Sequence, residues 1–194
     1  MTAFDTAWDL VKESAEGDWG FMNWPKNKPH PKYSSEALGN PGPPAGVTHL
    51  NSKGESEAWT ILPNILSFFR NLGGRLDHMD DKKILPDVAA TTAHENTHQA
   101  LHSIGEIYGI ASQDEYPAKI SEFLVEMRYK YNQWKNGELP KSGNRRLIEE
   151  FSEGVEPEKL AMKYALQSAR MEGNKQNIQG FKINHVDSEG RRLT

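Results

Sequence analysis

Cysteine is absent from the 194-residue chain. That absence removes disulfides, thiolate metal sites and cysteine nucleophiles together. It also excludes those metal hydrolases whose third ligand is Cys, such as the peptide deformylases. No stretch approaches the roughly 20 consecutive apolar residues of a membrane span. The opening Met1-Thr-Ala-Phe-Asp-Thr-Ala-Trp-Asp-Leu10 lacks a basic segment followed by an apolar one, so it does not read as a signal peptide. Basic charge is short as well. Lys and Arg number 23 against 27 Asp and Glu, a net charge of −4, which gives nucleic acid no positive field. The expectation is a cytoplasmic protein with no nucleic-acid and no membrane partner. The length suits a single domain, 1–194.

Helical periodicity is missing from residues 17–56. Pro25, Pro29, Pro31, Pro41, Pro43 and Pro44 arrive with Gly39, Gly42 and Gly46, a density that no helix survives. This stretch is expected to be an irregular arm or lid, with Trp19, Phe21 and Trp24 to pin it or line a cleft. His30 and His49 within it are expected to be solvent-exposed. Before it, Phe4, Ala7, Trp8, Leu10 and Val11 predict a helix over 3–15.

The remainder predicts a mainly α protein with little β and a helical core over 57–172. Trp59, Leu62, Ile65, Leu66, Phe69 and Leu72 track one helical face, with a kink or restart at Pro63. Residues 75–83 read as a charged connector. Pro86, a residue favoured at the first helical position, opens the next helix, which runs to about Ile104. A further helix starts near Asp114 and carries Ile120, Phe123, Leu124, Met127, Tyr131 and Trp134 inward until Asn136-Gly137. A short connection between these two predicts antiparallel packing. Arg145–Phe151 and Pro157 to about Glu172 are further helices, and Phe181–Val186 alternates as a short strand or tail would.

Chemistry concentrates in His94-Glu95-Asn96-Thr97-His98, which reads H-E-x-x-H. Two histidines at i and i+4 face the same side of a helix, where two imidazole nitrogens can hold one Zn²⁺ at roughly 2.0–2.1 Å. A glutamate between them lies where a general base for metal-activated water must be. Ala93, Thr97, Ala100, Leu101 and Ile104 form the buried stripe, and His94, His98 and His102 run beside it, at the border of the core. His102 is a candidate for hydrogen-bonding a ligand or a substrate carbonyl. Its alternative is a half-buried histidine satisfied by the backbone. Tyr108, Tyr116 and Arg128 are equal candidates for stabilising an oxyanion.

A catalytic zinc takes three protein ligands and leaves one position open. Leu101 and Ile104 stand where H-E-x-x-H-x-x-G-x-x-H would need Gly and His, so that class is excluded. A carboxylate from the following helix is the remaining source: Glu115, Glu122 or Asp114.

His94-Glu-Asn-Thr-His-Gln-Ala-Leu-His102, followed by Glu115-Tyr-Pro-Ala118, resembles the gluzincin zinc metallopeptidases, especially their compact minigluzincin members. The similarity covers about residues 86–127. It implies a zincin-like core, Glu115 of E-x-x-A as third ligand, and Ala118 as a close-packing position. Lys119 stands where the family has Asp or Asn supporting the first histidine, so another group must orient His94. Separately, the first residues of the chain are similar to the starts of short reading frames from tailed phages. That resemblance implies a viral origin, hence the host cytoplasm, and nothing about chemistry.

The function expected is a zinc-dependent hydrolase of peptide or protein substrates, with His94, His98 and Glu115 (or Glu122) holding the metal and Glu95 as general base. The alternative is a non-catalytic helical binding or virion-associated module whose metal is structural or absent.

Overall fold

The computed structural model describes residues 9–11, 32–34, 45–61, 63–65, 81–103 and 111–175. They form a small sheet and a set of long helices, so the chain is mainly helical, as its periodicity implies. Strands β1 (Lys32–Ser34), β2 (Gly46–Leu50) and β3 (Ser56–Ile61) are ordered β1-β3-β2. β1 runs parallel to β3, with Lys32 opposite Trp59 and Ser34 opposite Ile61. β2 runs antiparallel to β3, from Gly46 opposite Thr60 to Leu50 opposite Ser56.

The sheet corrects two expectations. Residues 46–56 are a β-hairpin rather than irregular chain, and 56–61 is a strand rather than the first turns of a helix. The turn supplies the reason. Asn51 Oδ1 accepts from the backbone N–H of Lys53 and Glu55 at 2.9 and 3.0 Å, and Gly54 takes φ +76°, which most residues resist. Beyond it the side chains alternate. Ala58 and Thr60 are buried, whereas Glu57 pairs outward with Lys32 at 2.7 Å and Trp59 lies under the same ammonium. Pro63 marks a restart: residues 63–65 are helical, and proline suits a first helical turn. The rest of the stretch expected as helix, 66–72, lies outside the described residues, as do 17–31 and the tail 181–186; of the expected helix 3–15, residues 9–11 are described and helical.

Helix α1 spans Asp81–Ser103, α2 Ala111–Lys135, α3 Arg145–Ser152 and α4 Pro157–Lys175. α1 starts five residues before Pro86, so Asp81–Lys83 belong to the helix and not to a connector. Proline's missing N–H costs one hydrogen bond so near the start, a loss this helix tolerates. α2 likewise starts three residues before Asp114. Its C-terminus is where the sequence puts it: Gly137 has φ +73°, and the N–H of Glu138 reaches back to Gln133 O at 2.8 Å.

α1 and α2 are antiparallel, since His98 lies by Glu115 whereas His94 lies by Glu122. Small residues let them approach closely. The Thr97 and Ser121 hydroxyls are 2.6 Å apart, and Thr97 donates to Ala93 O at 2.8 Å. α4 packs on the other side of α2, with Leu124, Val125, Leu160, Ala161 and Ala165 almost completely buried. Phe151 of α3 closes this core against Tyr131 and Trp134. The sheet rests on α1. There Thr60 and Thr92 hydroxyls are 3.0 Å apart, and the Gln99 side chain donates to Ser56 O at 2.8 Å. α1 is thus gripped by the sheet and by α2, and its histidine stripe lies at the border of that grip.

Candidate metal centre

His94 and His98 lie one helical turn apart on α1, with side chains 12% and 14% exposed. Their Nε2 atoms are 3.1 Å apart, and the rings meet edge to face. From the first turns of α2, Glu115 directs its carboxylate to the same point. Oε2 is 3.6 Å from His94 Nε2, and Oε1 is 3.7 Å from His98 Nε2. Donor atoms of all three residues fall within 4.8 Å of one another. A tetrahedral ion with ligands at roughly 2.0–2.1 Å sets its donors about 3.3 Å apart. The two nitrogens are a little closer than that and each carboxylate oxygen a little farther from its nearer nitrogen, so the three residues can close on such an ion by small side-chain rotations.

Glu122, the rival ligand, is elsewhere. Its Oε2 lies 2.8 Å from His94 Nδ1, on the opposite edge of the ring from the converging donors. The same oxygen accepts from Lys119 Nζ at 2.7 Å. Two carboxylates that the sequence could not separate therefore occupy different positions around one imidazole. Asp114 and His102 are within helices, but their side chains lie outside the described residues, as does Tyr108. Tyr116 is buried, and Arg128 is engaged with Glu158 of α4 at 2.8 Å. His49 is exposed on β2, as expected; His30 lies outside the described residues.

Glu95 turns toward the sheet and is 8% exposed. The Thr48 hydroxyl donates to its Oε2 at 2.7 Å, with the Glu95 backbone carbonyl also within reach at 3.0 Å. Across the same contact Gly46 is pressed against the side chain. A Cβ there would sit 2.5 Å from Glu95 Cγ and 2.7 Å from Oε1. Neither Gly46 nor Thr48 was a candidate from sequence. The available signal was the hairpin itself: Asn51-Ser-Lys-Gly54 between two alternating runs.

The charges are arranged to suit a cation. Burial pushes the Glu115 carboxyl up, but the nearby His98 ring and the charges of both histidines and Lys119 outweigh it and hold it below the usual range. Glu122 is likewise held down, with burial overcome by His94 and Lys119. For His94 burial acts downward and is overcome by the hydrogen bond and charge of Glu122 and by the charges of Glu115 and Glu95, so its pKa is raised. Glu95 goes the other way. Burial raises its pKa despite His94, Thr48 and His98, so among these carboxyls it is the one whose charged form burial disfavours on balance.

No protein-family model, no curated protein and no solved structure matches the chain. Among the described residues no helix is long and apolar enough to cross a membrane.

Proposed function

We propose that the chain is a zinc-dependent hydrolase of peptide bonds. The observation that carries this reading is the convergence of ligand atoms from His94, His98 and Glu115 within 4.8 Å, on a helix pair that also holds the buried Glu95. Two neutral imidazoles and one carboxylate suit zinc and leave a coordination position free. Bound there, zinc would supply Lewis acidity and lower the pKa of a water toward roughly 7. Glu95 takes the proton of the attacking water at a carboxylate oxygen and delivers it to the leaving amine nitrogen. The resemblance of residues 86–127 to the gluzincins points to the same ligand set and to a peptidase.

A peptide substrate is favoured by the sheet. Among the described residues β2 has a ladder partner on one side only, and Thr48 of that strand touches Glu95. An extended peptide can add to such an edge and bring its carbonyl beside the base. The alternative, a non-catalytic module with a structural metal, draws on one observation: the Glu95 carboxylate is already bonded to Thr48.

Metal analysis and substitution separate the two. One zinc per chain is expected, lost in His94→Ala and His98→Ala. Glu95→Gln is expected to keep the zinc and abolish peptide hydrolysis. Undiminished turnover in that variant removes the general-base role; no turnover by the unaltered zinc-loaded protein on any peptide library favours the structural metal.

A further inference from the structure

We infer that Glu122 and Lys119 are the positioning residues of this metal centre: Glu122 fixes the ring and tautomer of His94, and Lys119 fixes Glu122. The inference rests on the metal site proposed above. It concerns how the first ligand is held, for which the chain lacks the usual residue, since Lys119 stands at the Asp or Asn position of the resembling family.

A histidine binds metal through one nitrogen while the other donates its hydrogen. The acceptor of that hydrogen decides which nitrogen is free. At His94 the acceptor is the Glu122 Oε2, 2.8 Å from Nδ1. The proton therefore sits on Nδ1, and the Nε2 lone pair points at His98 and Glu115. Glu122 cannot serve the same ion as Nε2, because it is on the other edge of the ring. It is the middle member of a chain of contacts that runs from His94 through Glu122 to Lys119, away from the proposed metal position.

Lys119 lies one turn before Glu122 on α2 and donates to the same Oε2 at 2.7 Å. Two donors converging on one oxygen leave the carboxylate little rotational freedom. The ammonium also balances a charge that is partly shielded from water: the Glu122 side chain is 26% exposed and that of Lys119 21%. Glu115 and Glu122 are seven residues apart on α2 and so lie on one face. One helix thus offers a carboxylate to the metal and a second to the back of the ligand.

The effect of Lys119 has a sign that discriminates. As a mere positive charge near the site it repels a dication, so Lys119→Met would tighten zinc binding. As the anchor of Glu122 it aids binding, so the same variant weakens it. The test is zinc affinity, by competition with a chromophoric chelator, together with nitrogen NMR of the zinc-loaded His94 ring and thermal unfolding of the metal-free proteins. Glu122→Gln and Glu122→Ala are expected to remain folded and bind zinc about 10–100-fold more weakly. The NMR should show Nδ1–H of His94 losing its charged acceptor. Lys119→Met is expected to weaken binding by a smaller factor, and that weakening should vanish in the Glu122→Gln background. Unchanged affinity and unchanged ring signals in both Glu122 variants overturn the positioning role. Equal or tighter binding in Lys119→Met overturns the part given to the lysine. Failure of the unaltered protein to bind zinc overturns the metal site itself, and is distinguished from the other failures because it needs no variant.

Discussion

At the residue scale, the contact between Gly46 and Glu95 has no slack. The glycine is required by space, not by backbone conformation: a methyl group would meet Cγ, Cδ and Oε1 of Glu95 all within 2.8 Å. Thr48 ties that carboxylate in place, so it cannot simply swing aside. Gly46→Ala is therefore expected to destabilise the fold by about 1–3 kcal/mol, as overpacked sites do, read as a lower urea midpoint. On the reading proposed above, the same variant should bind zinc normally and lose most hydrolysis, because the atoms nearest the added methyl are those of Glu95 and not of His94, His98 or Glu115. Full activity in Gly46→Ala would mean that the base works from another rotamer.

At the element scale, the approach of α1 to α2 decides whether Glu115 can meet the histidines at all. Ala93, Thr97, Ala118 and Ser121 are buried to at least 98%, and the Ser121 hydroxyl lies 3.2 Å from the Ala93 carbonyl across the interface. Ser121→Leu inserts bulk into that seam and removes a buried donor. It should cost about 2–4 kcal/mol in denaturant unfolding, from overpacking together with the unmade hydrogen bond. Zinc affinity should fall with it, since Glu115 recedes from His94 and His98. The hairpin offers a milder test. Gly54 has φ +76° with nothing within 4 Å of a Cβ, so Gly54→Ala meets strain without a clash. A loss of roughly 1–2 kcal/mol is expected, with zinc affinity intact. Helices α3 and α4 were legible because each carries an amphipathic stripe with Leu147 and Phe151, or Leu160 and Ala165, facing the core. The hairpin was not, because Trp59, Leu62 and Leu66 fall at i, i+3 and i+7, which fits a helical face as well, and periodicity over so few residues does not choose between them.

At the scale of the whole molecule, the charges of the site couple stability to pH and, on the reading proposed above, to metal. In the metal-free protein the His94 pKa is raised above 6.5, so its contribution is complete below that value and is lost as pH rises through the folded pKa. Glu115 and Glu122 are held below 4.5, so theirs is present above 4.5 and lost as pH falls. Asp87, pushed up to about 6 by burial and by Glu126, loses its contribution as pH rises from 3.8 to about 6, on the acid side of the His94 loss. Its residue keeps a solvent-exposed surface, which screens that effect. Glu95, raised by burial, likewise loses its contribution as pH rises from 4.5, so the metal-free protein should be most stable toward the acid end of the window between 4.5 and 6.5 and melt earlier as the solution becomes alkaline. Zinc should reverse the trend, because it displaces protons from the histidines and so binds more tightly as pH rises. At 100 times its Kd, zinc would add about 2.7 kcal/mol, read as a raised Tm that a chelator removes. A melting temperature indifferent to both zinc and pH would contradict this linkage.

The sequence by itself determined the mainly helical class, the helix that carries His94 and His98, and the short list of carboxylates able to join them. Those follow from spacing: i and i+4 share a helical face whatever surrounds them. Only the tertiary structure decided between Glu115 and Glu122, because both lie on one face of α2. The choice depends on which edge of the His94 ring each one meets. It also supplied Thr48 and Gly46, whose contact with Glu95 joins positions 47 and more residues apart and leaves no trace in local pattern. Spacing along a helix fixes which side chains face together; how two helices and a sheet are set against one another fixes which atom each side chain touches.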